Sequence, residues 1–255
     1  MATNADLIQP RTIDRPAVSE NARQSRNADR RLFLVAAIGF PLLVLIGYFK
    51  TYYFSAFFDV RPVANALVHA HGLVMTAWVL YFVAQVALIR SKNVKLHMTM
   101  GMAGIALALI VIVVGMATAV DAQLVRGAAP PGENPHAFFV LPVSDMTLFA
   151  IFFAAAIYFR KRPAEHKSLM LLTAINFLPA ALFRVAVVPP EYVILFSFGI
   201  PALMAVACLV WHSVKHGKVN KVFAAGVAVL ILAIPARVML MGSQTWLAFV
   251  GWLAG

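Results

Sequence analysis

Apolar residues run along most of this chain in long, nearly unbroken blocks, without the alternation or narrow stripe of a soluble fold. Seven blocks approach or exceed the roughly 20 residues that a membrane-crossing helix needs: Leu32–Phe49, Val63–Ile89, Met98–Val120, Ala137–Phe159, Ser168–Val188, Tyr192–Trp211 and Val222–Met241. Lipid offers the backbone no hydrogen-bond partners, so these blocks are expected to be helices. A transmembrane β-barrel would show alternating segments of about ten residues, and the chain has none. The expected fold is all-α, a polytopic bundle of seven transmembrane helices spanning residues 32–241. Residues 1–31 hold six arginines, four acids and two prolines without apolar periodicity, and read as a disordered basic tail. No signal peptide is expected, because the charged region is too long and the first apolar run lacks a small-residue cleavage site. Residues 242–255 read as a short apolar tail whose Trp246 and Trp252 suit the interfacial level of a bilayer.

Composition narrows the class further. Of the 255 residues, 62% are apolar and 12% charged, with a mean hydropathy of +0.84. A soluble domain carries about 45–50% apolar and about 25% charged residues. A soluble enzyme, a disordered chain and a nucleic-acid binder are therefore excluded, despite a net charge of +11. The single cysteine, Cys208, excludes a disulfide framework and a cysteine-cluster metal site. The basic residues instead report orientation. Of 21 Lys and Arg, 16 lie in the tail and in loops 90–97, 160–167 and 212–221; the opposite side holds only Lys50, Arg61 and Arg126. That asymmetry puts the amino terminus in the cytoplasm and the carboxy terminus outside, in a multi-pass protein of the inner membrane. With no connecting loop beyond about 16 residues by these boundaries, any chemistry belongs to the bundle or its rims.

Ionisable side chains inside a span are costly and mark candidate sites. Here they are His69, His71, Asp145, Arg184 and Arg237, with Gln85 and Asn176 as neutral companions. At 1.5 Å per residue, His69 and His71 lie roughly 9–12 Å below the outer edge and Asp145 about 13 Å below it. Arg184 and Arg237 fall in the outer third. Two explanations are open. The group could line a shared site, with His69, His71, His136 and Asp145 available to a metal and the arginines to an anion or lipid headgroup. Alternatively, Asp145 neutralises one arginine while the other reaches the headgroups. In the His69-Ala-His71-Gly72 stretch the two imidazoles point about 200° apart on a regular helix. His71 is the better inward-facing candidate, since Gly72 beside it removes bulk where something large approaches.

The histidines also fall into an order by helix. His71 lies on span two, His97 precedes span three, His136 precedes span four, and His166 precedes span five. This layout resembles the ascorbate-reducible, two-haem transmembrane b-type cytochromes, in which spans two and four, and three and five, pair their histidines. The resemblance covers roughly residues 63–187 and rests on helix placement. It implies haem b as cofactor, with His71, His136, His97 and His166 as axial ligands and Arg184 and Arg237 as partners of the propionates. It further implies electron transfer with a membrane partner such as quinol. A binding or transport protein for a small anion, lipid headgroup or metal ion is the alternative, as is a structural subunit of a membrane complex. His97 and His166 could equally position their loops among headgroups. Two further patterns stand out. Met75-Thr76 followed by Arg90 and His97 looks like Met146-Thr147 followed by Arg160 and His166, through duplication or shared loop chemistry. Cys208, His212 and His216 repeat every four residues on one helix face, which reads as loop chemistry in preference to a metal site because His216 adjoins Gly217 in a lysine-rich segment.

Overall fold

The computed structural model describes residues 20–60, 63–130, 132–185 and 188–255. Regular structure among the described residues is helical throughout. The α-helices are α1 (Glu20–Tyr48), α2 (Ala66–Arg90), α3 (Val94–Val120), α4 (Pro135–Phe138), α5 (Val140–Tyr158), α6 (Pro163–Asn176), α7 (Leu178–Leu182), α8 (Val193–His216), α9 (Lys221–Met241) and α10 (Gln244–Ala254).

Among the described residues, six stretches are long and apolar enough to cross a membrane: Asn27–Tyr53, Ala66–Arg90, Val94–Val125, Pro135–Lys161, Val193–His216 and Lys221–Met241. The bundle turns apolar side chains outward. On α1, Val35, Ile38, Leu42 and Ile46 form a stripe at helical spacing and are 67%, 54%, 51% and 58% exposed, the face a helix presents to lipid.

The seventh expected crossing, Ser168–Val188, is not a continuous helix. α6 stops at Asn176, and α7 restarts at Leu178. Pro179 is the cause: it has no N–H for the carbonyl of Ile175, and its ring crowds that carbonyl. The segment is nevertheless the most enclosed in the molecule, with every residue from Leu171 to Pro179 buried. A helix that is apolar all round belongs inside a bundle. Pro142 acts in the same way on the fourth crossing, where it deprives the Phe138 carbonyl of its helical donor and α4 and α5 meet at a turn at Phe139.

Both terminal segments are helical where described. Residues 1–19 of the expected tail lie outside the described residues, but residues 20–31 are helical and continue directly into the first crossing. The carboxy-terminal stretch is a helix, α10, docked on the bundle. Its Trp246 donates from Nε1 to the carbonyl of His136 at 2.9 Å, and Val250 is completely buried against Ala119 and Phe139.

The centre is aromatic. Trp78, wholly buried, meets Phe149 edge-on at 4.9 Å and Phe153 at 5.7 Å. Arg90, at the end of α2, donates to the carbonyl of Arg30 at 3.0 Å, which sets the Arg30 turn of α1 beside loop 90–97. The starts of α3, α6 and α9 and the end of α8 share this basic end.

Candidate functional site

At the end opposite the basic loops, the costly charges are divided among separate partners. Asp145 of α5 and Arg237 of α9 form an ion pair at 2.7 Å, with side chains 13% and 6% exposed. Asn176, the last residue of α6, donates to the backbone carbonyl of Asp145 at 2.9 Å, and the Arg237 guanidinium lies 5.0 Å from the centre of the Phe198 ring. The broken helix supports this pair, because Asn176 and Pro179 line the same small cavity as Arg237. That cavity holds only about 10 Å³, room for at most one water. Arg184 is apart and exposed; it stacks over Tyr48 at 4.5 Å and donates to the Ala180 carbonyl at 2.5 Å. Of the two sequence-level explanations, the arrangement follows the structural one: Asp145 neutralises Arg237, and Arg184 reaches the rim.

His69 and His71, on the same turn of α2, are differently engaged. Tyr52 donates to the His69 carbonyl at 3.2 Å, and its ring lies 6.0 Å from the His69 imidazole. The same Tyr52 ring answers the question raised by Gly72: a Cβ at residue 72 would overlap it. The bulky group for which Gly72 makes room is thus the protein's own tyrosine. His71 is half-buried, lies within electrostatic reach of Arg184, and keeps an Nδ1 with no hydrogen-bond partner in the protein. His136 follows Asn134, whose side chain caps its backbone N–H at 2.9 Å. Asp121, at the end of α3, is committed to Asn65 and to Arg126, the latter at 2.7 Å. Among the described residues, no three of His69, His71, His136 and Asp145 are assembled as a metal-ligand group. The expected metal set is dispersed because Asp145 is consumed by Arg237. The propionate role expected of Arg237 meets the same obstacle.

At the basic end, residues far apart in sequence converge. The imidazoles of His97, near the start of α3, and His166, near the start of α6, face each other with ring centres 6.4 Å apart and planes inclined by 75°. Nδ1 of His166 lies 2.8 Å from the carbonyl of Ala156. A carbonyl only accepts, so this contact makes Nδ1 the protonated nitrogen and leaves Nε2 with its lone pair. His97 retains a buried Nδ1 without a protein partner. The two ends of α2 and α3 are stitched nearby: Tyr81 donates to the Met100 carbonyl at 2.8 Å and accepts from Gln85 at 2.6 Å.

A second basic-end cluster combines α1, α6 and α8. Asp29 pairs with Lys167 through Oδ2, and its Oδ1 lies 3.1 Å from Nε2 of His216 and 3.7 Å from Nδ1 of His212. His212 and His216 stack with ring centres 4.2 Å apart, as the four-residue spacing allows on one helix face. Helix α8 ends just beyond them at Gly217, whose φ is +64°. Cys208, one turn back, instead borders an apolar cavity of about 100 Å³ beside Leu32, Ala36 and Phe40. The histidine spacing was visible in the sequence, but Asp29 and Lys167 were not. Both sit in charge-rich segments that locally look like solvated tail and loop.

The architecture defines the class: among the described residues, an all-helical protein with six helical stretches long and apolar enough to cross a membrane. No family model, curated protein or solved structure matches the chain.

Proposed function

We propose that this protein is a multi-pass inner-membrane electron carrier of the b-type cytochrome kind, with His97 and His166 as the ligands of its iron. The single observation that carries this reading is the facing of these two imidazoles from α3 and α6. Two imidazoles that grip one metal from opposite sides, each nitrogen about 2 Å from it, hold their ring centres roughly 6 Å apart. The 6.4 Å separation fits that requirement. The donor set fits as well. A ligating histidine characteristically gives its other N–H to a carbonyl or carboxylate, the role that Ala156 plays for His166. His97 contributes a buried nitrogen with no protein partner, costly unless a ligand takes it up. When bound, a bis-histidine haem supplies one-electron transfer without an open coordination site. The chain's part is to hold the two rings at fixed separation and to fix the tautomer of His166.

In this reading the broken segment α6–α7 is a seventh crossing, tolerated because surrounding helices enclose it. The basic end then faces the cytoplasm, which places the amino terminus inside, the carboxy terminus outside and the iron near the cytoplasmic surface. The donor is a membrane reductant such as quinol. The reading moves the weight of the sequence-level expectation from the outer pair, His71 and His136, to the inner one.

The test is an absorption spectrum of detergent-purified protein, expressed with ample haem, before and after dithionite. A sharp Soret band with reduced α and β bands is expected, lost in His97→Ala and in His166→Ala and kept in His136→Ala. A protein without these bands, or a His97→Ala variant that keeps them unchanged, overturns the proposal.

A further inference from the structure

We infer that Asp29, His212 and His216 form a binding site for a divalent transition-metal ion of the zinc class, separate from the His97–His166 pair. One ligand atom from each of the three lies within 4.8 Å of the other two. Tetrahedral ligands about 2.0–2.1 Å from zinc stand about 3.3 Å apart, close to the 3.1 and 3.7 Å already present between Asp29 and the two imidazoles. With no separation in the trio beyond 4.8 Å, closing on an ion draws the side chains together by up to about 1.5 Å.

The chemistry of the set specifies the ion. Two imidazoles and one carboxylate suit zinc, nickel, cobalt or iron(II), whereas magnesium and calcium require shells of oxygen. Histidines four apart on one helix face are already aimed alike, so chelation costs little ordering. Lys167 supports the carboxylate: it takes Oδ2 and leaves Oδ1 turned toward both histidines, the kind of outer contact that orients a ligating carboxylate. Burial is graded, with side chains of His212, Asp29 and His216 exposed by 5%, 13% and 21%. The ion would sit at the bundle's edge and be reached from the basic face. Three protein ligands leave a fourth position for water or another donor, as in open zinc sites. The ion would tie α1 to α8, because Asp29 alone among the three comes from the amino-terminal helix.

The experiment uses untagged, detergent-purified full-length chain titrated with Zn²⁺, and with Co²⁺ as a spectroscopic substitute. One equivalent is expected to bind, Co²⁺ to give the visible absorption of a tetrahedral centre, and excess Mg²⁺ not to compete. Bound Zn²⁺ raises the thermal midpoint, since it binds the folded state. His216→Ala and Asp29→Ala each lower Zn²⁺ affinity at least tenfold, while His97→Ala leaves it unchanged. His216 is the most exposed of the three, so its replacement keeps the fold and decides the matter alone. Absence of stoichiometric Zn²⁺ binding, an unchanged affinity in His216→Ala, or an equal loss in His97→Ala overturns the inference. Because zinc binding is read without haem, failure here leaves the spectral test of His97 and His166 intact, and the reverse.

Discussion

Replacing Asp145 by asparagine keeps the side chain's size and removes only its charge, leaving Arg237 buried beside a neutral amide. The pair is 2.7 Å apart, with side chains 13% and 6% exposed, so bulk water screens little of the interaction. Unit charges 4 Å apart attract by about 4 kcal/mol at an effective dielectric constant near 20. Loss of one partner from a buried pair typically costs about 3–5 kcal/mol, mostly because the survivor remains desolvated and unpaired. The Phe198 ring and the cavity of about 10 Å³ offer Arg237 no replacement anion. Asp145→Asn and Arg237→Met are each expected to destabilise the protein by about 3–5 kcal/mol, measured by equilibrium unfolding in mixed detergent micelles and followed by circular dichroism. The double variant Asp145→Leu with Arg237→Met removes both charges and is expected to cost less than either single change, since apolar replacement of a whole buried pair is often neutral. Single variants within about 1 kcal/mol of the parent, or a double variant less stable than either single, would refute the claim that the two charges exist for each other.

Two other substitutions probe packing. Gly47 meets the backbone of Ala181, so that a Cβ at residue 47 would overlap the Ala181 carbonyl, whereas a Cβ at Gly39 on the same helix meets nothing. Gly47→Ala should therefore cost roughly 1–3 kcal/mol by forcing α1 off α7, and Gly39→Ala should be neutral or up to about 1 kcal/mol stabilising; the same unfolding assay distinguishes them. Trp246→Phe removes the donor to the His136 carbonyl at a cost of about 0.5–1.5 kcal/mol. Its effect should be local, with faster amide exchange over residues 244–254 and unchanged protection in α3 and α5.

The crossing helices were legible because lipid makes length and apolarity nearly sufficient signals. Tyr192–Trp211 and Val222–Met241 were expected, and Val193–His216 and Lys221–Met241 are observed. What composition does not encode is which polar groups meet. Asp145 had two candidate arginines on different spans, and only the fold puts Arg237 against it and sends Arg184 to Tyr48. The break at Phe177 was announced by Pro179, but prolines at 41, 201 and 235 stay within continuous helices. A proline therefore does not reveal whether its neighbours will absorb the missing hydrogen bond. Asp29 was hidden for a different reason: its charged surroundings look like solvated tail, and its partners lie more than a hundred residues away.

Apolar surfaces do little to choose partners inside a bilayer, because lipid tails are as apolar as leucine. The assembly of this bundle must therefore be specified largely by its few polar contacts. Arg90 to the Arg30 carbonyl joins α2 to α1, Asn65 to Asp121 joins α2 to α3, Asp145 to Arg237 joins α5 to α9, and Trp246 to His136 joins α10 to α4. Each of these contacts gives its residues a partner within the protein. A polar side chain becomes evidence for binding only when assembly leaves one of its buried atoms unused, and His97 meets that condition while facing a second histidine whose tautomer is fixed by Ala156. His71 also keeps an unused nitrogen, but among the described residues no second imidazole lies beside it as His166 lies edge-on to His97. Asp145 Oδ1 and Arg237 Nε also lack hydrogen bonds, but each group has the other's opposite charge beside it, whereas neither member of the His97–His166 pair neutralises the other.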